Sequence, residues 1–192
     1  MIMQNSLFAP ESSWTVPDVF PQFSETETVA IDLETYDPHL MTCGPGWATG
    51  RGHIVGVGVA TENWSGYFPI RHEGGGNLDE TIVLRWLTNL LSSTKRDVIF
   101  HNALYDVGWL RREGIIVKGK ILDTIVAAPL INENRFSYSL DNLGVAYCDE
   151  KKDESLLQDA ALAFGVNPKS EMYKLHAKYV GPYGEQDAAL TL

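Results

Sequence analysis

Residues 28–35, TVAIDLET, constrain this chain more than any other stretch. Val29, Ala30, Ile31 and Leu33 specify a buried strand, yet Asp32 and Glu34 interrupt it. A buried carboxylate is costly unless it pairs with a cation or binds a metal. Side chains alternate faces along a strand, so positions 32 and 34 point the same way. The stretch therefore predicts a claw of two carboxylates on one sheet face, and the fold must bring positive charge to it.

The remaining composition narrows the setting. With 192 residues, 44% of them hydrophobic, the chain is long enough for a globular domain with its own core. No apolar run has the length needed to span a bilayer. The start, MIMQNSLFAPESSW, lacks the basic and apolar segments of a secretory signal. Cys43 and Cys148 are too few and too far apart for a zinc site or a disulfide scaffold. A cytoplasmic setting without a membrane partner is expected. Net charge is −10, from 15 Lys and Arg against 25 Asp and Glu. A protein that grips phosphates alone is normally basic. Either nucleic acid is not the partner, or the acids gather at a cation site and other parts of a larger protein supply the grip.

Along the chain, residues 1–24 are rich in Ser and Pro and read as an extended strap. The first strand is followed by a long loop, YDPHLMTCGPGWATGRG, and then by HIVGVGVAT and WSGYFPI, which read as an antiparallel meander. LDETIVLRWLTNLLSS has helical periodicity. DVIFHN is a buried strand running into the helix ALYDVGWLRREG, which Gly114 stops. KILDTIVAAPLINEN predicts a short strand and a helix, with further helices at SYSLDNLGVAY and ESLLQDAALAFG. In GPYGEQDAALTL, Pro182 stands where a helix would begin, and the pattern stops without a cap. That helix is expected to be truncated and to continue in the intact protein. The fold class is α/β, with a mixed central sheet of an antiparallel meander plus parallel strands, flanked by helices. GVGVAT at 56–61 lies within a strand and opens no helix, so it is not read as a dinucleotide fingerprint.

Two further segments carry carboxylates that fit the claw. Asp106 follows the buried strand VIF, and Tyr183 and Asp187 stand four apart, on one face of a helix. Four carboxylates gather only around cations. An all-oxygen site selects hard ions such as Mg²⁺ or Mn²⁺. Two such ions roughly 3.5–4 Å apart are the usual device for in-line displacement at phosphorus. His39, His53, His72, His101 and His176 show no metal-ligand spacing and are read as structural or solvent-facing.

D-x-E at 32–34, N-x-x-x-D at 102–106 and Y-x-x-x-D at 183–187 resemble the three motifs of the DEDD exonucleases, in the right order. The Tyr form resembles the proofreading domain of family A, polymerase I-like DNA polymerases, and the texture is most similar to those of phages. DTIVAAPLINENRFSYSLDNL is similar to that family's segment between the second and third motifs. The resemblance covers residues 25–192 and implies an RNase H-like fold. It implies that Asp32, Glu34 and Asp187 hold one metal, with Asp32 bridging to a second that Asp106 supports through water. Tyr183 would orient the attacking water. Thr35 and Asn102 match positions that contact the terminal nucleotide, and Leu33 and Tyr105 would fray or position the last bases. The implied reaction is hydrolysis of the 3′-terminal phosphodiester of DNA at a single-stranded or frayed end, releasing 5′-mononucleotides with two Mg²⁺ or Mn²⁺ ions. A polymerase domain would follow in the intact chain, in a bacterial host cell if phage-encoded. The alternatives are a catalytically silent module binding single-stranded 3′ ends, disfavoured because all four acids and the Tyr are present, and a related exoribonuclease.

Overall fold

The computed structural model describes residues 9–192; the first part of the expected strap lies outside the described residues. Five strands form one sheet in the order β3-β2-β1-β4-β5. β1 (Val29–Tyr36), β2 (His53–Thr61) and β3 (Trp64–Pro69) pair antiparallel. β4 (Asp97–Phe100) and β5 (Lys120–Asp123) add on in parallel. The expected mixed sheet is present. Its parallel half is joined by helical crossovers, as parallel neighbours require.

The helices are α1 (Leu40–Cys43), α2 (Gly46–Thr49), α3 (Glu80–Leu90), α4 (Ala103–Arg112), α5 (Thr124–Ile131), α6 (Leu140–Leu143), α7 (Ser155–Phe164) and α8 (Ala177–Thr191). α1 and α2 fold within the segment expected as an irregular loop. α2 is held where Asp37 Oδ2 accepts from the Gly46 N–H at 2.8 Å. α3 starts at Asp79, whose carboxylate caps the Ile82 amide.

Strand alternation assigns the two sheet faces. Val29, Ile31 and Leu33 enter the main core with Leu87 of α3 and Trp109 and Leu110 of α4. Ala30 packs on the other face with Ala60 and with Ala188 of α8. Asp32 and Glu34 follow Ala30 with period two and thus lie on the α8 face.

α8 departs from the sequence expectation. It begins at Ala177 with His176 as its cap, and Pro182 lies inside it. Proline cannot donate to the carbonyl four residues back, here that of Lys178. The Ser12 hydroxyl donates to that carbonyl instead, at 2.8 Å. The lead-in segment thus supplies the missing hydrogen bond, and the helix, expected to begin at Pro182, instead runs through the proline from Ala177. Trp14 strengthens this seam: its Nε1–H donates to Glu185 Oε1 at 2.8 Å, and its ring lies against Gly181, where a Cβ would come within 2.2 Å.

Candidate active site

Three of the carboxylates singled out in the sequence converge. Asp32 and Glu34 of β1 and Asp187 of α8 each offer an oxygen within 4.8 Å of the others. Across the sheet, Asp32 is paired with Gly58 and Glu34 with Gly56. Directly opposed antiparallel residues share a face, so two glycines leave that face open beside the acids. Tyr67 and α8 fill the opening: a Cβ at Gly56 would meet the Tyr67 hydroxyl at 2.0 Å. The register of β1 shifts between Glu34 and Thr35, a bulge that turns the strand as it leaves the site.

Asp106 reaches the same region from the first turn of α4 and is buried. Its helix starts at Asn102, which holds a left-handed backbone with φ 75° and ψ 55°. The Asp123 carboxylate fixes this corner, accepting from the amides of Asn102 (3.0 Å), Ala103 (2.8 Å) and Ile125 (3.1 Å). Asp123 therefore aims Asp106, a role with no local signature in the sequence.

The electrostatics are those of crowded acids in a dry place. Burial first, and then Asp187, push the Asp32 carboxyl up to about 7, with Lys152 opposing. Burial and then Asp32 and Asp187 raise Glu34 well above the carboxylate range. Asp106 is raised by burial and by Asp32, while the Leu33 backbone amide pulls it down. Burial raises Asp187, and Lys152 counteracts it. Asp187 Oδ1 is buried without a hydrogen-bond partner. Orphaned carboxylate oxygens facing other carboxylates are what a hard cation takes as ligands, so Asp32, Glu34 and Asp187 fit a divalent ion.

Tyr183 lies beside Asp187, and burial with Glu34, Asp187 and Asp32 drives its phenol far above its ordinary range. Among the described residues, the cation at this cluster is Lys152, whose ammonium donates to Asp187 Oδ2 at 2.7 Å and to Tyr183 Oη at 3.1 Å. Sequence reasoning missed it, because DEKKDE reads as a solvated charge run. Tyr67 was missed as well. Its hydroxyl bonds His72 Nε2 at 2.8 Å, and His72 Nδ1 bonds the Leu175 carbonyl oxygen at 3.1 Å, a chain that walls the acids off from the side of β3. His72 is structural, as expected.

The expected nucleotide-contacting residues divide. Thr35 and Tyr105 bond each other through their hydroxyls at 2.9 Å, and the Tyr105 hydroxyl also donates to Asp37 Oδ2 at 3.0 Å. Tyr105 is thus a strut between α4 and the end of β1 rather than a free wedge. Leu33 is 6% exposed and packed into the main core. Alternation puts its side chain on the face opposite the acids, so it cannot fray a base; only its backbone borders the site.

Residues 11–192 match the 3′–5′ exonuclease family. The chain belongs to that family. It is 40% identical to a DNA-directed DNA polymerase of Pseudomonas phage M6 over 99% of this chain and 30% of that protein. It is 28% identical to a DNA polymerase of Salmonella phage PMBT28 over 91% of this chain and 26% of that protein. It thus spans less than a third of these curated relatives. Among solved structures, the catalytic core of RRP6 from Trypanosoma brucei superposes with a TM-score of 0.54 at 19% identity, covering 88% of this chain and 39% of that one. Brucella melitensis NrnC with bound Mg²⁺ superposes at 0.50 and 19% identity, covering 86% and 72%. These likenesses carry the fold, which is RNase H-like. No helix among the described residues of this exonuclease chain is long and apolar enough to cross a membrane.

Proposed function

We propose that this exonuclease serves as the proofreading part of a phage-type DNA polymerase, removing the 3′-terminal nucleotide from a single-stranded or frayed DNA end as a 5′-mononucleotide. The observation that carries the reading is the convergence of Asp32, Glu34 and Asp187 within 4.8 Å, with a buried, unpartnered oxygen on Asp187. Such a cluster is stable when ionised only around cations, and Mg²⁺ or Mn²⁺ match its all-oxygen chemistry. When bound, the divalent ions lower the pKa of a water and neutralise the leaving oxygen.

The chain's own residues supply binding and orientation. Asp32, Glu34 and Asp187 would hold one divalent ion, and Asp106 together with Asp32 would serve a second. Tyr183 positions the nucleophilic water by hydrogen bonding. Its phenol is too strongly raised to act as a base near neutral pH. Thr35 and Asn102 are assigned to the terminal nucleotide. Residues 25–192 are assigned to the exonuclease domain, with the described residues before it as a strap; a polymerase domain would follow in the intact protein, which would act in the bacterial host. The phage polymerase relatives favour DNA over RNA as substrate.

Asp32→Ala tests the reading. It removes the ligand both ions share, so Mg²⁺-dependent degradation of a 3′-labelled single strand should vanish while the far-UV circular dichroism stays native. An active variant would sink the assignment.

A further inference from the structure

Lys152 is 8% exposed, although its neighbour Lys151 and the rest of the charge run look like solvated surface. A buried ammonium needs partners, and this one has two of them at the reacting centre: Asp187 Oδ2 at 2.7 Å and Tyr183 Oη at 3.1 Å. The ammonium also stands over the Tyr183 ring, 4.4 Å from its centroid. The backbone that delivers it is clamped. Gln186 of α8 accepts from the Asp153 amide at 2.7 Å, and Asp153 in turn accepts from the amide and hydroxyl of Ser155 at the start of α7. The segment is thus built into α8 beside the very residues its lysine touches. Lys152 also borders a cavity of about 470 Å³ shared with Asn142, Ser155 and Gln158.

Two divalent ions, once bound, would balance the four carboxylates Asp32, Glu34, Asp106 and Asp187. Lys152 adds one positive charge beyond that balance. It therefore opposes metal binding, and its charge is matched only when a phosphodiester enters. A tyrosine hydroxyl has one donor and two acceptor positions. The lysine occupies one acceptor position, which restricts how the hydroxyl can face a water.

We propose that Lys152 is a positioning residue of the hydrolytic site, fixing the Tyr183 hydroxyl and sharing Asp187 with the metal, so that it weakens metal affinity while promoting turnover. This rests on the metal-dependent reading of the site. The test is Lys152→Met, which keeps the stem and removes the charge, beside Lys152→Arg, which keeps the charge, each in the full chain. Calorimetry with Ca²⁺ should show Lys152→Met binding roughly tenfold more tightly than the parent, the scale expected for losing one like charge beside a ligand. Single-turnover hydrolysis at saturating Mg²⁺ should fall about 10–10³-fold in the same variant, as for a lost positioning contact. Lys152→Arg should keep the parental Ca²⁺ affinity. A lysine that only braces the fold would leave both quantities unchanged or weaken both, and either result overturns the proposal. So does tighter Ca²⁺ binding with unchanged turnover. Failure of the underlying site reading shows separately, as retained activity in Asp32→Ala.

Discussion

A Cβ placed on Gly58 would lie 2.4 Å from the Gly184 carbonyl oxygen and 3.2 Å from the Ala188 Cβ. This backbone-to-backbone approach between β2 and α8 sets how far Asp187 stands from Asp32, because Gly58 is the cross-strand partner of Asp32. The third motif is delivered to the first by the absence of a side chain. Glycine here is a matter of clearance and not of special φ.

Gly58→Ala should therefore damage the site more than the fold. Overpacking of this kind costs about 1–3 kcal/mol, which the domain can survive. The carbonyl it strikes belongs to the helix that carries Tyr183 and Asp187, so α8 must move outward. A displacement near 1 Å is enough to cost about 10²-fold in rate. Exonuclease assays and thermal melts of the variant decide this. Near-parental activity with a lowered melting temperature would show that α8 is not held by this contact.

Tyr183→Phe separates orientation from metal binding. The ring and its packing persist, and the hydroxyl that faces Lys152 is lost. Hydrolysis should fall about 10–10³-fold, in line with a positioning contact. Ca²⁺ affinity measured by calorimetry should not change, in contrast to the rise expected for Lys152→Met. Because the phenol is held protonated by burial and the nearby acids, the pH profile of the residual activity should keep its shape. Loss of Ca²⁺ binding in Tyr183→Phe would show that the tyrosine belongs to the ligand set.

The raised carboxylates also make stability depend on pH in an unusual direction. Asp32 goes from 3.8 to about 7 on folding, and Glu34 and Asp106 are raised well above their ordinary values. A group whose pKa rises on folding binds more protons in the folded state, so its contribution is lost as pH climbs through the folded value. His53, His72, His101 and His176 are all lowered and act in the opposite sense, but their influence ends near pH 7. In chelator, the melting temperature should thus fall over the interval in which pH climbs through about 7, the folded value of Asp32, by which the Asp32 contribution is lost. Saturating Mg²⁺ should abolish that fall, since a cation replaces the protons. A melting temperature that rises over this interval in chelator would contradict the crowding of the acids.

Short-range rules made much of this protein legible. Two carboxylates at period two in an apolar run could only form a claw on a strand face, and spacing of four put Tyr183 and Asp187 together on a helix. Those patterns depend on neighbours a few residues apart, and local geometry is enough to place them. The mixed sheet followed in the same way, from runs of β-branched residues and the helical periods between them. What only the tertiary structure decided rests on partners far apart in the chain. Ser12 donates to the Lys178 carbonyl across 166 residues, and without it Pro182 reads as a helix start. Lys152 reads as solvent-facing until α8 folds beside it and Asp187 replaces its water. Tyr105 reads as a free aromatic until Thr35 and Asp37, at the end of β1, take its hydroxyl. In each case the deciding term is desolvation. A side chain's partner becomes compulsory only once water is excluded, and the full fold determines where that happens.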